Sequence, residues 1–228
     1  MAVIYKTLKK DEQVCAYITA GNNSLKTLGF TEHSFPHVYK TAEVAASILL
    51  QLGFPEETAE LAKIAGLLHD IGNMLNRNQH ALTGAEIARC ILERHGMSYE
   101  DIGTICGAIG NHDEHTGWPV NTVCAALILA DKSDVRRSRV QESDMDKILS
   151  DIHDRVNYAA KKSEITVRKA KTKTITKTII TLRLEIDSKF TPVMDYFEIF
   201  LTRMLMCRRA ASYLGADFEL VINNLKIM

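Results

Sequence analysis

The stretch Gly66-Leu67-Leu68-His69-Asp70-Ile71-Gly72 constrains this chain most, because it places a histidine and an aspartate at the end of an apolar helical run. Apolar side chains recur at helical spacing before the pair, at Leu61, Ile64 and Leu68. An ionisable pair at the end of such a helix needs a charged partner or a metal ion when it is buried. A neutral imidazole and a carboxylate at this point are suitable ligands for one metal ion.

The His-Asp dipeptide is not informative by itself, since the chain also contains His112-Asp113 and His153-Asp154. The helical context distinguishes His69-Asp70 from these two pairs. A function is therefore to be sought in the residues that accompany His69 and Asp70.

Length and composition indicate a globular protein with one sizeable core and room for a small appended unit. The chain has 228 residues, of which 46% are apolar and 25% charged. Lys plus Arg and Asp plus Glu both number 28, so no overall field favours nucleic acid or an anionic membrane. Recognition of anions must then come from local groups.

The chain shows the features of a soluble cytoplasmic protein with no membrane partner. Residues 1–10 lack the apolar core of a signal peptide, and no uncharged stretch approaches the roughly 18 residues of a membrane span. The five cysteines contain no Cys-x-x-Cys pair, which favours reduced thiols over disulfides or zinc ligands.

The first two thirds of the chain are predicted to be helical. Residues 1–30 are predicted to form two short helices separated by Gly21–Ser24. Two long helices follow, one with His37 in its first turn and Gly53 at its end, the other leading to His69. Further helices are predicted over about 81–95, 98–111 and 122–130.

The last third has a different pattern. Glu164–Val167 and Ile179–Ile186 alternate with period two and are rich in β-branched residues, which predicts a β-hairpin with its turn near Lys171–Thr174. A long helix over 192–214, capped by Gly215, and a short strand over 218–222 follow.

The predicted fold class is mainly α, a helical bundle with a small C-terminal α+β unit made of the hairpin, the long helix and the short strand. Three parts are expected: N-terminal helices over 1–30, a helical metal-binding domain over 31–155, and the α+β subdomain over 156–228.

Taken together, the histidines and aspartates at the predicted helix ends resemble the HD superfamily of metal-dependent phosphohydrolases. The resemblance covers about residues 31–140. The matching pieces are HVYKTAEVA from His37, GLLHDIG around His69 and Asp70, HALTG from His80, AIGNH ending at His112, and LILADK around Asp131. The chain as a whole looks like a small stand-alone HD protein with an α+β tail.

The resemblance implies a dinuclear metal site. It implies that His37, His69, Asp70 and Asp131 bind one divalent transition metal ion, while His80 and His112 add ligands for a second, with Asp70 bridging the two. Imidazole and carboxylate ligands suit iron, manganese or zinc. Two such ions can activate water for in-line attack and take up charge on a phosphoryl oxygen.

The expected substrate is a small phosphorylated compound, a phosphomonoester or phosphodiester, with a nucleotide as one candidate. Many HD proteins carry a lysine three residues after the His-Asp aspartate, where this chain has Asn73. Other cations must then hold the phosphate, and the available ones are Arg77, Lys132, Arg136, Arg137 and Arg139. The stretch His112–Pro119 also departs from the Gly-Tyr-Pro signature of the cyclic-dinucleotide phosphodiesterases, which argues against that substrate.

Several alternatives stay open at this point. His80 and His112 could be polar loop residues of a one-metal site, the arginines at 136, 137 and 139 a solvated face, and Asp113 and His115 either site residues or bystanders. A di-iron HD-type oxygenase and a non-catalytic metal-stabilised sensor or interaction module are the rival functions. The oligomeric state is also open, with a homodimer as one candidate.

Overall fold

The structure, a computed structural model, describes residues 5–171 and 176–228, and ten α-helices lie in these ranges. Two short 3-10 helices, Ile71–Met74 and Arg137–Arg139, complete the helical part. The α-helices are α1 (Tyr5–Leu8), α2 (Glu12–Thr27), α3 (Phe35–Leu52), α4 (Glu56–Leu68), α5 (His80–Arg94), α6 (Tyr99–Gly110), α7 (Thr122–Lys132), α8 (Met145–Ser150), α9 (Ile152–Ala159) and α10 (Val193–Tyr213).

The C-terminal part contains a sheet of four strands in the order β1-β2-β3-β4. The strands are β1 (Ala160–Lys171), β2 (Thr176–Ile186), β3 (Asp217–Ile222) and β4 (Leu225–Lys226). β1 pairs with β2 in antiparallel register, with Ile165 opposite Leu182, while β3 runs parallel to β2, with Phe218 opposite Ile180. A parallel pair needs a crossover connection, and α10 provides it.

The predicted fold class is confirmed: the chain is mainly α-helical with a small C-terminal sheet. Both strands of the predicted hairpin are longer than expected, and the two-residue strand β4 was not predicted. The turn predicted near Lys171–Thr174 falls largely on residues 172–175, which lie outside the described residues.

The prediction for the N-terminal helices is wrong in one respect, because α2 runs without interruption through Gly21–Ser24. The break lies instead before Asp11, whose side chain accepts a hydrogen bond from the backbone N–H of Val14 and caps α2. A Cβ added at Gly21 would lie 3.2 Å from the backbone nitrogen of Met74. This glycine therefore serves close packing of α2 against the 3-10 helix that follows Asp70, and not a chain break.

Helix α7 is the centre of the helical bundle. Every residue from Val123 to Ala130 is buried, and α3, α4, α6 and α10 all pack against it. A helix buried on all sides can carry polar groups only near its ends, where the backbone itself needs partners. Asp131 lies at such an end.

Helix α10 joins the C-terminal part to the bundle. Its buried side chains Tyr196, Phe200, Met204 and Cys207 belong to the same continuous cluster of buried residues as α7. The division into 1–30, 31–155 and 156–228 stays a prediction. Across the described ranges, no helix combines the length and the apolar character that crossing a membrane requires.

Helices α3 and α4 pack most closely at Gly66, and this contact yields a stability prediction. A Cβ added at Gly66 would lie 2.6 Å from the Ala42 Cα and 2.7 Å from the Ala42 nitrogen. Gly66→Ala should therefore force the helices apart and lower the free energy of unfolding by about 1 to 3 kcal/mol, measured by urea denaturation.

Gly103 provides the matched control for Gly66, because it also lies inside a helix but has no atom within 4 Å of an added Cβ. Gly103→Ala should raise the free energy of unfolding by about 0.4 to 1 kcal/mol. Equal stability of the two variants would contradict the close approach of α3 and α4.

Candidate metal centre

Four histidines and two aspartates meet in the core at the ends of five helices. They are His37 in the first turn of α3, His69 and Asp70 directly after α4, His80 at the start of α5, His112 after α6, and Asp131 in the last turn of α7. All are buried except Asp131, whose side chain is 12% exposed. The structure thus brings together all six residues that the resemblance implies as ligands.

The first group consists of His37, His69, Asp70 and Asp131. The Nε2 atoms of His37 and His69 lie 3.2 Å apart. Asp70 Oδ2 is 3.5 Å from the first and 3.2 Å from the second, and Asp131 Oδ1 is 3.3 Å and 3.6 Å from them. Four candidate ligand atoms therefore point at one small space.

The separations within this group fit a metal ion. Ligands at about 2.1 Å from a metal lie roughly 3.0 Å apart in octahedral and 3.4 Å apart in tetrahedral coordination. The observed range of 3.2 to 3.6 Å is close to these values. Two imidazoles with two carboxylates is a ligand set that suits iron, manganese or zinc.

The second group consists of His80, His112 and the other oxygen of Asp70. His80 Nε2 lies 3.3 Å from His112 Nε2 and 3.5 Å from Asp70 Oδ1, while His112 Nε2 lies 3.9 Å from that oxygen. Asp70 therefore presents Oδ2 to the first group and Oδ1 to the second. This is the arrangement of a carboxylate that can bridge two cations.

Each of the four imidazoles is oriented by an acceptor at its Nδ1 atom. Asp134 Oδ2 lies 2.8 Å from Nδ1 of His37, and the carbonyl oxygens of Gly66, Arg77 and Ile109 lie 2.9, 3.0 and 2.6 Å from Nδ1 of His69, His80 and His112. An Nδ1–H that donates to a fixed acceptor leaves the Nε2 lone pair for a metal ion. All four Nε2 atoms face into the centre.

The electrostatics of the centre also call for cations. Burial would raise the pKa of Asp70, but the imidazoles of His69, His33 and His37 hold it well below its usual range. Burial on its own lowers the pKa of His69, yet the Asp70 and Asp131 carboxylates raise it to about 10. The buried carboxylates thus hold a proton on His69, and a divalent cation would satisfy them in its place.

Asp134 is a residue that sequence reasoning missed. It accepts from His37 Nδ1, lies 2.9 Å from Lys40 Nζ, and accepts from Arg136 Nε at 2.9 Å. Burial would raise its pKa, but the His37 ring, Arg139 and Lys40 lower it, so Asp134 is a carboxylate. Its spacing of three residues from Asp131 at a helix end was the available signal.

The arginines at 136, 137 and 139 bind protein groups. Arg136 bonds Asp134 and also contacts Glu32 Oε2 at 3.1 Å. Arg139 is buried and donates to the backbone oxygens of Glu32 and Asp134. Arg137 donates to the backbone carbonyl oxygen of Tyr158, and its guanidinium stacks on the Tyr158 ring. Arg136 and Arg139 thus lie behind His37, and Arg137 lies against α9. The role of all three arginines toward substrate stays a prediction.

Arg77 and Asn73 lie beside Asp70. Asn73 Nδ2 donates to Asp70 Oδ1 at 2.9 Å and orients it. Arg77 Nη1 is 3.8 Å from the same oxygen and 3.4 Å from His80 Nε2, and the arginine side chain is 26% exposed. Arg77 is therefore a cation that reaches both the second group and the surface.

The loop after α6 contributes further charged groups. Asp113 Oδ2 lies 3.9 Å from His80 Nε2, whereas His115 is exposed. Glu114 binds Lys132, which also donates to Asp131. The Nδ1 atom of His33 is 2.6 Å from the Thr31 carbonyl oxygen, and its ring lies 5.5 Å from that of His37.

The part of the sequence that carries the centre is similar to known proteins. The profile of the family described as HD domain matches residues 35–159. Ribonuclease Y of Aliarcobacter butzleri is 27% identical over 136 residues, which are 58% of this chain and 24% of that protein. The match thus spans about a quarter of the length of that relative.

The centre predicts a metal-dependent rise in stability. A ligand at 100 times its Kd stabilises the folded state by about 2.7 kcal/mol, which is roughly 5 to 10 °C in Tm for a chain of this length. We expect Mn²⁺ to raise Tm by that amount in the wild type and in His153→Ala, whose imidazole is exposed in another His-Asp pair. Asp70→Ala should remove the rise.

Proposed function

The chain belongs to the HD domain family, and we propose that it is a metal-dependent phosphohydrolase with a dinuclear His/Asp centre. The family predicted from the spaced motifs is confirmed by this membership. The matched region, residues 35–159, contains all six residues of the centre.

One observation carries the proposal: the two oxygens of Asp70 face two separate pairs of imidazoles. His37 and His69 are on the Oδ2 side, and His80 and His112 are on the Oδ1 side. These residues would hold the cations, and cations held there would supply the chemistry of activating water and taking up charge on a phosphoryl oxygen.

The side chains of the chain itself prepare this chemistry. Asp70 and Asp131 supply negative charge in a buried site, and the hydrogen bonds at the four Nδ1 atoms fix the imidazoles. Asn73 keeps Asp70 Oδ1 directed at the second group. Such orientation reduces the rearrangement that the reaction requires.

The proposed substrate is a small phosphomonoester or phosphodiester, with a nucleotide among the candidates. The name of the relative, a ribonuclease, supports a phosphodiester. The balance of 28 basic and 28 acidic residues supports a small compound over a long nucleic acid, because long nucleic acids are usually held by a basic surface.

Arg77 is our candidate for holding the substrate phosphate. Its guanidinium lies next to Asp70 and His80 and is partly exposed, so that it can meet an anion entering the site. A guanidinium can grip two phosphate oxygens at once, which orients the phosphorus for in-line attack.

Hydrolysis of generic phosphoesters tests the proposal. The purified protein would be loaded with Mn²⁺, Fe²⁺ or Zn²⁺ and given p-nitrophenyl phosphate or bis-p-nitrophenyl phosphate, with and without oxygen. Turnover that does not need oxygen supports the hydrolase. Oxygen consumption without hydrolysis would assign an oxygenase, and a metal-loaded protein without either activity would be a sensor or interaction module.

The two-metal arrangement predicts a change in stoichiometry. His80→Ala or His112→Ala should lower the metal content from about two ions to about one per chain, because the other group keeps a complete set of ligands. Elemental analysis of the purified variants measures this. Unchanged metal content in both variants would favour a one-metal site.

The role of Arg77 predicts a loss of catalytic efficiency without a loss of metal. Arg77→Met should retain both ions and lower kcat/KM by tenfold or more, which is the effect of losing a charge-assisted hydrogen bond of about 1.5 to 3 kcal/mol. Arg168→Met is the control, because Arg168 pairs with Glu219 on the sheet surface. Equal kinetics of the two variants would remove Arg77 from the site.

A further inference from the structure

A row of alternating charges connects helix α10 to the metal centre. Arg203 of α10 donates from Nε to Glu114 Oε1 at 2.8 Å. Glu114 Oε2 lies 2.9 Å from Lys132 Nζ, and Lys132 Nζ donates to Asp131 Oδ2 at 2.6 Å. Three of these four side chains are nearly buried, with exposed fractions of 9%, 6% and 12% for Glu114, Lys132 and Asp131.

We propose that Glu114 and Arg203 are positioning residues that set the metal affinity of the centre by acting through Lys132 on Asp131. This inference rests on the proposed function in one point, that Asp131 ligates a metal ion. It assigns Lys132 to the support of a ligand, where the sequence had suggested a substrate cation.

The two oxygens of Asp131 have different tasks in this arrangement. Oδ1 faces the Nε2 atoms of His37 and His69, whereas Oδ2 accepts from Lys132. The hydrogen bond to Oδ2 fixes the rotation of the carboxylate and so directs Oδ1 at the first group. A partner behind a ligating carboxylate commonly has this effect on metal affinity.

Lys132 also carries a cost, because an ammonium group a few ångströms from a metal ion repels it. In a site with little water this repulsion is strong unless a negative charge compensates it. Glu114 supplies that charge, because its Oε2 lies 2.9 Å from Lys132 Nζ. Glu114 therefore permits Lys132 to orient Asp131 without opposing the cation.

Arg203 extends this support to the C-terminal part of the chain. Its guanidinium is held against the Phe200 ring, 4.8 Å from the centroid, and it binds Glu114 from a helix that packs on α7. Glu114 follows His112 by two residues in the same loop. Arg203 thus anchors both the carboxylate that compensates Lys132 and the segment that carries a ligand of the second group.

The test is a comparison of Glu114→Gln in two backgrounds, with binding of Co²⁺ to the metal-free protein measured by calorimetry. In the wild-type background, Glu114→Gln should weaken binding roughly 10- to 100-fold, the range of such supporting partners. In the Lys132→Met background, the same change should alter binding less than about threefold, because no ammonium remains to be compensated. Equal losses in both backgrounds, or no loss in either, would overturn the inference.

Arg203→Met provides a second test at a more exposed position. It should weaken Co²⁺ binding, and Arg203→Lys should recover part of the loss because it keeps the charge. The control is Arg155→Met, which removes a similar ion pair to the same helix, at 2.8 Å from Asp195, and should bind as the wild type does. An Arg203→Met protein with wild-type affinity would overturn the role of Arg203.

The wild type itself separates this inference from the proposed function. Wild-type protein that binds no Co²⁺ would overturn both. Wild-type protein that binds two ions, with variants that bind equally well, would overturn the positioning roles alone. Thermal unfolding of each metal-free variant verifies that the protein compared is folded.

Discussion

The burial of Asp70 between two pairs of imidazoles is the constraint on which the rest of the structure depends. A buried carboxylate is stable only with cations or hydrogen-bond donors on both oxygens. Asn73 donates to one oxygen of Asp70, and the imidazoles of four histidines lie around its two oxygens. Helices α3 to α7 must therefore bring their ends to a single point, and the close contact of Gly66 with Ala42 is one result of that requirement.

The position of the centre at helix ends has a physical reason. The middle of a buried helix has no unpaired backbone groups, but its last carbonyls lack partners within the helix. The carbonyl oxygens of Gly66 and Ile109 lie near the ends of α4 and α6, and they accept from the imidazoles of His69 and His112. The same contacts complete the helices and fix the tautomer of the histidines, so the fold and the centre are stabilised together.

The sequence predicted the helical bundle well because its signals are local. Ser98 caps α6, Gly53 ends α3 with a positive φ of 89°, and the apolar spacing of α4 leads to His69. The features that the sequence could not predict depend on contacts between segments that are distant along the chain. Glu114 and Arg203 are 89 residues apart, and no spacing rule relates them. The sequence predicts a break at Gly21–Ser24 because a glycine that allows close packing inside a helix cannot be recognised without the neighbour that it contacts.

The cations around the centre fall into two sets with different consequences. Lys132, Arg136 and Arg139 bind acidic or carbonyl groups behind Asp131 and His37, so their charge is already matched. Arg77 lies beside the second group and is partly exposed. A cation behind a ligand changes how strongly the ligand binds metal, whereas a partly exposed cation beside the ligands can change which anion binds. Under the proposed roles different side chains would have these two tasks, so metal affinity and substrate preference could vary independently in this chain.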